Sequence, residues 1–289
     1  MTTPSIYKTP AGEQAVMALY DRALDHWRVP YESLHIPTRH GDTFVISSGA
    51  SDAPPLVLLH GAGTNSAIWI EDVAAYSRLY RVYAVDLIGE AGKSAPNRPA
   101  WDSPAFAEWL EDVFAALHIA RAVLVGISQG GWTALKFATA HPERIDKLVL
   151  LTPGGVVPDK LSFLLRAIPF SMMGKAGSRR MARLVYGSQP IPAGVEEVMD
   201  VVTSNFKARI GTLPIFTDEE LRRLTMPTLL LIGAEDALRD AGKISARLDS
   251  LLPNLTAVTI PRAGHALLDT TPYILPFRRE LNGKYVRQR

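Results

Sequence analysis

The sequence predicts an α/β protein, a doubly wound and mostly parallel sheet carrying an inserted helical segment. Six short apolar runs, at 56–60, 82–87, 122–126, 147–152, 228–233 and 256–261, are rich in Val, Leu and Ile and do not alternate with polar residues. That is how strands covered on both faces read. Helical patterns lie between most of them, at 66–76, 103–118, 129–141, 240–251 and 266–281, and strand alternating with helix builds a parallel sheet. The alternation breaks once, between the fourth and fifth runs, where 153–225 carries helical spacing of its own at 161–168, 179–186 and 195–208. A structureless loop of that length does not fit a compact domain. The expected organisation is therefore a core of 1–152 and 226–289 with a helical cap inserted at 153–225.

The elements follow in order. Val16, Leu19, Tyr20, Ala23, Leu24 and Trp27 recur at helical spacing, so a helix is expected over 13–27, with Pro30 beyond its end. Extended segments at 33–37 and 43–48 flank Arg39-His40-Gly41-Asp42, whose Gly-Asp pair reads as a hairpin turn. The chain shows neither internal repeats nor a low-complexity tract.

Composition narrows the chemistry. The 289 residues are 47% hydrophobic and 21% charged, ordinary for a globular chain. A formal net charge of +2 gives no basic patch, so nucleic acid is not an expected partner. There is no cysteine, which excludes disulfides, thiolate metal sites and a cysteine nucleophile. The first residues contain no apolar stretch that could act as a signal-peptide core, and no run approaches a membrane span. The expected setting is cytoplasmic.

The strongest motif is Gly126-Ile127-Ser128-Gln129-Gly130, placed between a buried strand and a helix. A serine in such a turn is strained outward, and small residues two positions either side avoid collision with neighbouring backbone. Ser128 is the candidate nucleophile. A serine needs a base, and the base needs an orienting acid. His26, His35, His40, His118 and His141 lie on helices, early strands or helix ends. His265, in Pro261-Arg-Ala-Gly-His, follows the last strand and so stands at the carboxyl rim where ligands bind in open sheets. The acid is expected after the preceding strand, in Gly233-Ala-Glu-Asp, as Asp236, with Glu235 and Asp159 as the alternatives. Two convergent amides should hold the oxyanion, those of Gln129 and of Ala62 in His60-Gly61-Ala62-Gly63, with His60 orienting that loop.

Taken together, His60-Gly-Ala-Gly, Trp69, Asp86 opening Asp-Leu-Ile-Gly-Glu-Ala-Gly-Lys-Ser, the serine turn, His141-Pro-Glu-Arg-Ile and the two late rim segments resemble an α/β-hydrolase-fold esterase of the capped, lipase-like kind. The likeness spans 56–270, and the chain order Ser128, Asp236, His265 agrees with it. The opening helix and Arg28-Val-Pro-Tyr-Glu-Ser-Leu are similar to a bacterial carboxylesterase-like subgroup. One loop departs: Gly89-Glu-Ala-Gly-Lys-Ser stands where the family usually has Gly-His-Gly-x-Ser.

The resemblance implies a serine hydrolase acting on a small-molecule carboxylic ester, needing neither cofactor nor metal. Phe163, Leu164, Leu165, Phe170, Met172, Met173 and Met181 of the cap would favour an apolar acyl or alcohol group if they line the cleft. The same triad also serves carbon–carbon, amide and lactone hydrolysis and acyl transfer, and a weakly catalytic ligand-binding receptor shares the fold; these stay open. Oligomeric state is not readable. Gly92-Lys93-Ser94 is not a phosphate loop, because Leu87 occupies its first glycine position, and Ser66 breaks the dinucleotide-like turn after His60. Trp132 reads as core, Arg179, Arg180 and Arg183 as a solvated helix face, and Lys284 to Arg289 as a frayed basic tail.

Overall fold

The computed structural model describes residues 5–209 and 211–278. Eight strands form one sheet: β1 (Tyr31–Ile36), β2 (Thr43–Ser48), β3 (Pro55–Leu59), β4 (Arg81–Val85), β5 (Ala122–Ile127), β6 (Ile145–Leu151), β7 (Thr228–Gly233) and β8 (Leu255–Ile260). Their spatial order is β1-β2-β4-β3-β5-β6-β7-β8. The pairings of β2 with β1 and β4 are antiparallel, and the rest are parallel. The 39–42 turn closes the β1–β2 hairpin. From β3 onward, every connection is a crossover, so the carboxyl ends of β3, β5, β6, β7 and β8 share one rim.

Ten helices accompany the sheet among the described residues: α1 (Pro10–Leu24), α2 (Val73–Tyr76), α3 (Ala105–Ala116), α4 (Gln129–Ala140), α5 (Leu161–Ser171), α6 (Gly174–Tyr186), α7 (Val195–Asn205), α8 (Asp218–Arg222), α9 (Ala241–Leu251) and α10 (Thr271–Phe277). Successive side chains of a strand point to opposite faces, and β3 shows the consequence. Val57 and Leu59 join Trp109, Phe114 and Phe137 in one apolar layer, while Leu56 and Leu58 join Tyr20, Tyr76 and Phe277 in the other. Both faces are dry, which is why these strands read as unbroken apolar runs.

Several boundaries differ from the sequence reading. The first helix starts earlier because Thr9 accepts the Gly12 amide as its cap and Pro10 suits the first turn. Trp27 lies beyond that helix but is still buried, donating to Ser48 Oγ at 3.0 Å. The expected helix at 66–76 is a 3-10 turn (Ser66–Trp69) followed by α2. The last helix starts at Thr271 rather than 266, because Pro272 belongs in a first turn and Gln189 ties down the preceding chain through Ala266 O at 2.8 Å and the Leu268 amide at 3.3 Å. Its expected last residues and the basic tail lie outside the described residues.

Between β6 and β7 the chain runs through α5, α6, α7 and α8. No residue of α5 is buried, whereas Phe216, Leu221 and Leu224 pack into the main core. The chain start straps α7: the Lys8 amide donates to Asn205 O and the Lys207 amide to Ile6 O, both at 2.8 Å. Gly12 is required there, since a Cβ would stand 2.7 Å from Asn205 Oδ1.

Asp72, just before α2, makes no capping bond. Burial, with Asp269 and Glu71 adding to it, pushes its carboxyl up to about 6. The folded protein holds this proton more tightly than the unfolded chain does, so stability falls as pH rises from about 4 through about 6. Asp72→Asn is expected to flatten that slope and add about 1–2 kcal/mol at pH 7.5. Urea unfolding at pH 4.5 and 7.5 checks this, and identical pH dependence in both proteins would count against it.

Candidate active site

Ser128 sits in the turn from β5 into α4 at φ 56°, ψ −110°, a left-handed conformation rarely adopted by residues with a side chain. The flanking glycines make the turn fit. A Cβ on Gly126 would stand 2.3 Å from Gly130 O, and one on Gly130 would stand 2.3 Å from Leu59 O. The strained turn lifts Oγ above the rim.

The other two residues arrive from loops after β7 and β8, so all three meet at one edge of the sheet. His265 Nε2 lies 2.9 Å from Ser128 Oγ, and His265 Nδ1 lies 2.9 Å from Asp236 Oδ2. A carboxylate can only accept, so the imidazole carries its proton on Nδ1 and takes the serine hydroxyl at Nε2. Burial alone would raise the Asp236 carboxyl. The bonds from His265 and from the Leu238 and Arg239 amides outweigh that and hold it below the usual carboxylate range. Of the alternative acids, Glu235 turns away to accept the Ser188 amide at 2.8 Å, and Asp159 pairs with Arg239.

The loop after β3 faces the serine. A Cβ on Gly61 would stand 3.4 Å from Ser128 Cβ. The amides of Ala62 and Gln129 make no hydrogen bond to any described residue. His60 is fully buried and braces the loop: its Nδ1–H donates to Gly61 O and its Nε2 accepts the Leu87 amide, each at 2.8 Å.

Two residues that sequence reasoning passed over complete the site. Glu90, in the loop that departs from the family pattern, is 3% exposed. Its carboxylate accepts the Gly63 amide at 2.7 Å and the Gln129 side-chain amide at 2.9 Å, joining the Ala62 loop to the start of α4. Burial pushes its carboxyl up. Gly92 completes that loop, because a Cβ there would stand 2.4 Å from Asp86 Oδ2. The departure itself was the signal: an acidic residue where the family carries histidine needs partners.

Arg239 is the second. Its Nη1 lies 3.2 Å from Ser128 Oγ, its Nε donates to Asp159 Oδ1 at 3.2 Å, and Nη1 also donates to Thr152 O. No periodicity marks such a residue; only its place three positions after Asp236 hinted at it.

The apolar residues proposed from the inserted segment are scattered. Phe170 borders a shallow cavity with Arg166, Leu184, Glu235 and Ala237, next to Asp236 in the chain. Phe163 and Met181 are half-buried, while Met172 is 83% exposed and Met173 is exposed as well. Trp132 is core, its Nε1 donating to Pro214 O at 3.0 Å, and Arg179, Arg180 and Arg183 are exposed. Among the described residues, no helix is long and apolar enough to cross a membrane.

Known proteins share this fold. The model of the alpha/beta hydrolase family matches residues 56–273. The carboxylesterase YbfK of Bacillus subtilis is 33% identical over 88% of this chain and 89% of its own. Its crystal structure, as carboxylesterase CesB, superposes with a TM-score of 0.82 at 30% identity, covering 93% of this chain and 96% of that one. The crystal structure of naproxen esterase from the same organism gives a TM-score of 0.81 at 31% identity over 94% and 98% of the two chains. With a parallel sheet whose carboxyl rim gathers a serine turn, a histidine and a carboxylate, and with this match over most of its length, the chain belongs to the alpha/beta hydrolase family.

Proposed function

We propose that the protein is a cytoplasmic serine carboxylesterase acting through an acyl-enzyme on small esters with an apolar acyl or alcohol group. The observation that carries this is the unbroken hydrogen-bonded run Ser128–His265–Asp236, with links of 2.9 Å each, beside two unengaged amides. The carboxylesterase relatives support it. Ser128 Oγ attacks the ester carbonyl as His265 Nε2 takes its proton, and Asp236 stabilises the imidazolium. The Ala62 and Gln129 amides receive the tetrahedral oxyanion. His265 then protonates the departing alcohol, and a water activated by the same imidazole releases the acid and restores Ser128. Segment 153–225 acts as the cap that selects the substrate.

Hydrolysis of p-nitrophenyl acetate, butyrate, octanoate and palmitate tests the reading. Turnover well above buffer is expected, with kcat/KM peaking at one chain length that sizes the pocket. Rates equal to buffer for all four esters would overturn it.

A further inference from the structure

A helix at a protein surface ordinarily buries its apolar face and turns a polar one to water. α5 does not. Its half-buried side carries Phe163, Ala167 and Phe170. Leu161, Leu165, Ile168 and Met172, spaced four, three and four apart, fall on one stripe of the opposite side, each between 62% and 83% exposed. Leu164 and Met173 flank that stripe and are exposed as well. Large apolar side chains gathered this way in water mark an interaction surface.

Charge says what the surface meets. Between positions 160 and 195 stand six cations, Lys160, Arg166, Lys175, Arg179, Arg180 and Arg183, and no Asp or Glu. The whole chain carries only +2, so the remainder is net negative and the positive charge is concentrated on α5 and on α6, which packs against it. All six but Lys160 are exposed. Among the described residues only Arg179 pairs with a carboxylate, Glu196 at 3.2 Å, and Arg180 Nη1 lies 3.3 Å from Met173 Sδ at the end of the stripe. A second copy of the chain is a poor cover, because a two-fold contact sets the same patch against itself, cation against cation. A nucleic acid would satisfy the cations and leave the apolar stripe in water. A bilayer with anionic headgroups matches both properties: its acyl boundary accepts apolar side chains, and its surface attracts Lys and Arg.

We propose that α5 is a membrane-docking face, seating Leu161, Leu165, Ile168 and Met172 at the acyl boundary of an anionic lipid surface while the cations of α5 and α6 meet its headgroups. The binding is peripheral and reversible, since it combines a modest apolar stripe with surface charge and spans nothing. Arg166 and Phe170 of the same helix border the cavity beside Glu235 and Ala237. Docking through the outer stripe therefore sets the proposed ester site close to the lipid.

The test is co-sedimentation of the full chain with sucrose-loaded vesicles, either pure phosphatidylcholine or phosphatidylcholine with about a third phosphatidylglycerol. The wild type is expected to partition onto the anionic vesicles about tenfold or more better than onto the neutral ones, and to come off as salt is raised. Leu161→Glu/Ile168→Glu is expected to lower binding to the anionic vesicles about tenfold or more, because both side chains leave the acyl boundary and two negative charges enter the headgroup region. Lys175→Gln/Arg179→Gln is expected to lower it about tenfold while leaving the weak binding to neutral vesicles as it was. All four positions are exposed, and circular dichroism checks that each variant is folded. A wild type that ignores the anionic vesicles would overturn the proposal, as would equal binding to both compositions or binding that survives Leu161→Glu/Ile168→Glu. So would sedimentation velocity showing a wild-type dimer that this double variant abolishes, which would give the stripe to a second copy. Partition is read without turnover, so the docking face stands or falls separately from the triad.

Discussion

Ser128→Ala is expected to lower kcat on any ester that the wild type turns over by about 10⁵-fold or more, while the protein stays folded. In the proposed mechanism the hydroxyl is the atom that becomes bonded to the acyl group, and nothing else in the site can take its place: the chain has no cysteine, and Thr152 directs its Oγ1 to His265 O at 3.1 Å. What survives is the contribution of the free amides and of substrate binding, which act on water as the nucleophile. The fold should tolerate the change. Alanine accepts the same backbone as serine, and the conformation at φ 56° is imposed by Gly126 and Gly130 rather than by the hydroxyl. The check is kcat and burst amplitude for both proteins on one chromogenic ester, with circular dichroism confirming the fold. A variant retaining more than about a hundredth of wild-type kcat would remove Ser128 from the chemistry.

Asp236→Asn comes next in size, with a loss in kcat of about 10⁴-fold and little change in KM. In the proposed mechanism the carboxylate touches no substrate and acts by accepting the Nδ1–H of His265, 2.9 Å away. An amide that turns its NH₂ toward Nδ1 would stabilise the other tautomer, leaving the proton on Nε2, where the serine hydroxyl must be accepted. The Leu238 and Arg239 amides would still find an acceptor in the remaining oxygen, so the loop should hold its shape. The wild-type carboxyl lies below the usual carboxylate range. It therefore contributes stability that is present above the ordinary Asp pKa and lost as pH falls through the lower, folded-state value. Asp236→Asn should lack that acid-side component. Steady-state kinetics together with urea melts at pH 3.5 and 7 check both parts; a kcat within tenfold of wild type would hand the orienting role to another carboxylate.

Much of this was legible without coordinates, and the reason is local. Strands buried on both faces must be apolar throughout, so β3, β5, β6 and β7 announce themselves as short runs of Val, Leu and Ile. A serine turn with glycines two residues away on either side is a backbone constraint written into five consecutive positions. The rim follows from topology, because parallel crossovers put the carboxyl ends of neighbouring strands on one side. Ser128, Asp236 and His265 could therefore be named from their places after β5, β7 and β8.

What sequence spacing could not decide were meetings between side chains far apart in the chain. Spacing favours Asp236 but leaves Glu235 and Asp159 as alternatives; the fold decides between them by turning Glu235 to Ser188, Asp236 to His265 and Asp159 to Arg239. Glu90 joins Gly63 to Gln129 across three loops, and Arg239 reaches a serine 111 positions away. Neither lies on a periodic face. The last helix starts late because Gln189, from the inserted segment, holds the chain at 266–268. Periodicity reports how a residue sits relative to its own element. Which element it then faces depends on how the crossovers and the inserted segment pack, and that is why the strands and the serine turn belong to the sequence while the Glu90 brace and the buried Arg239 belong to the tertiary structure.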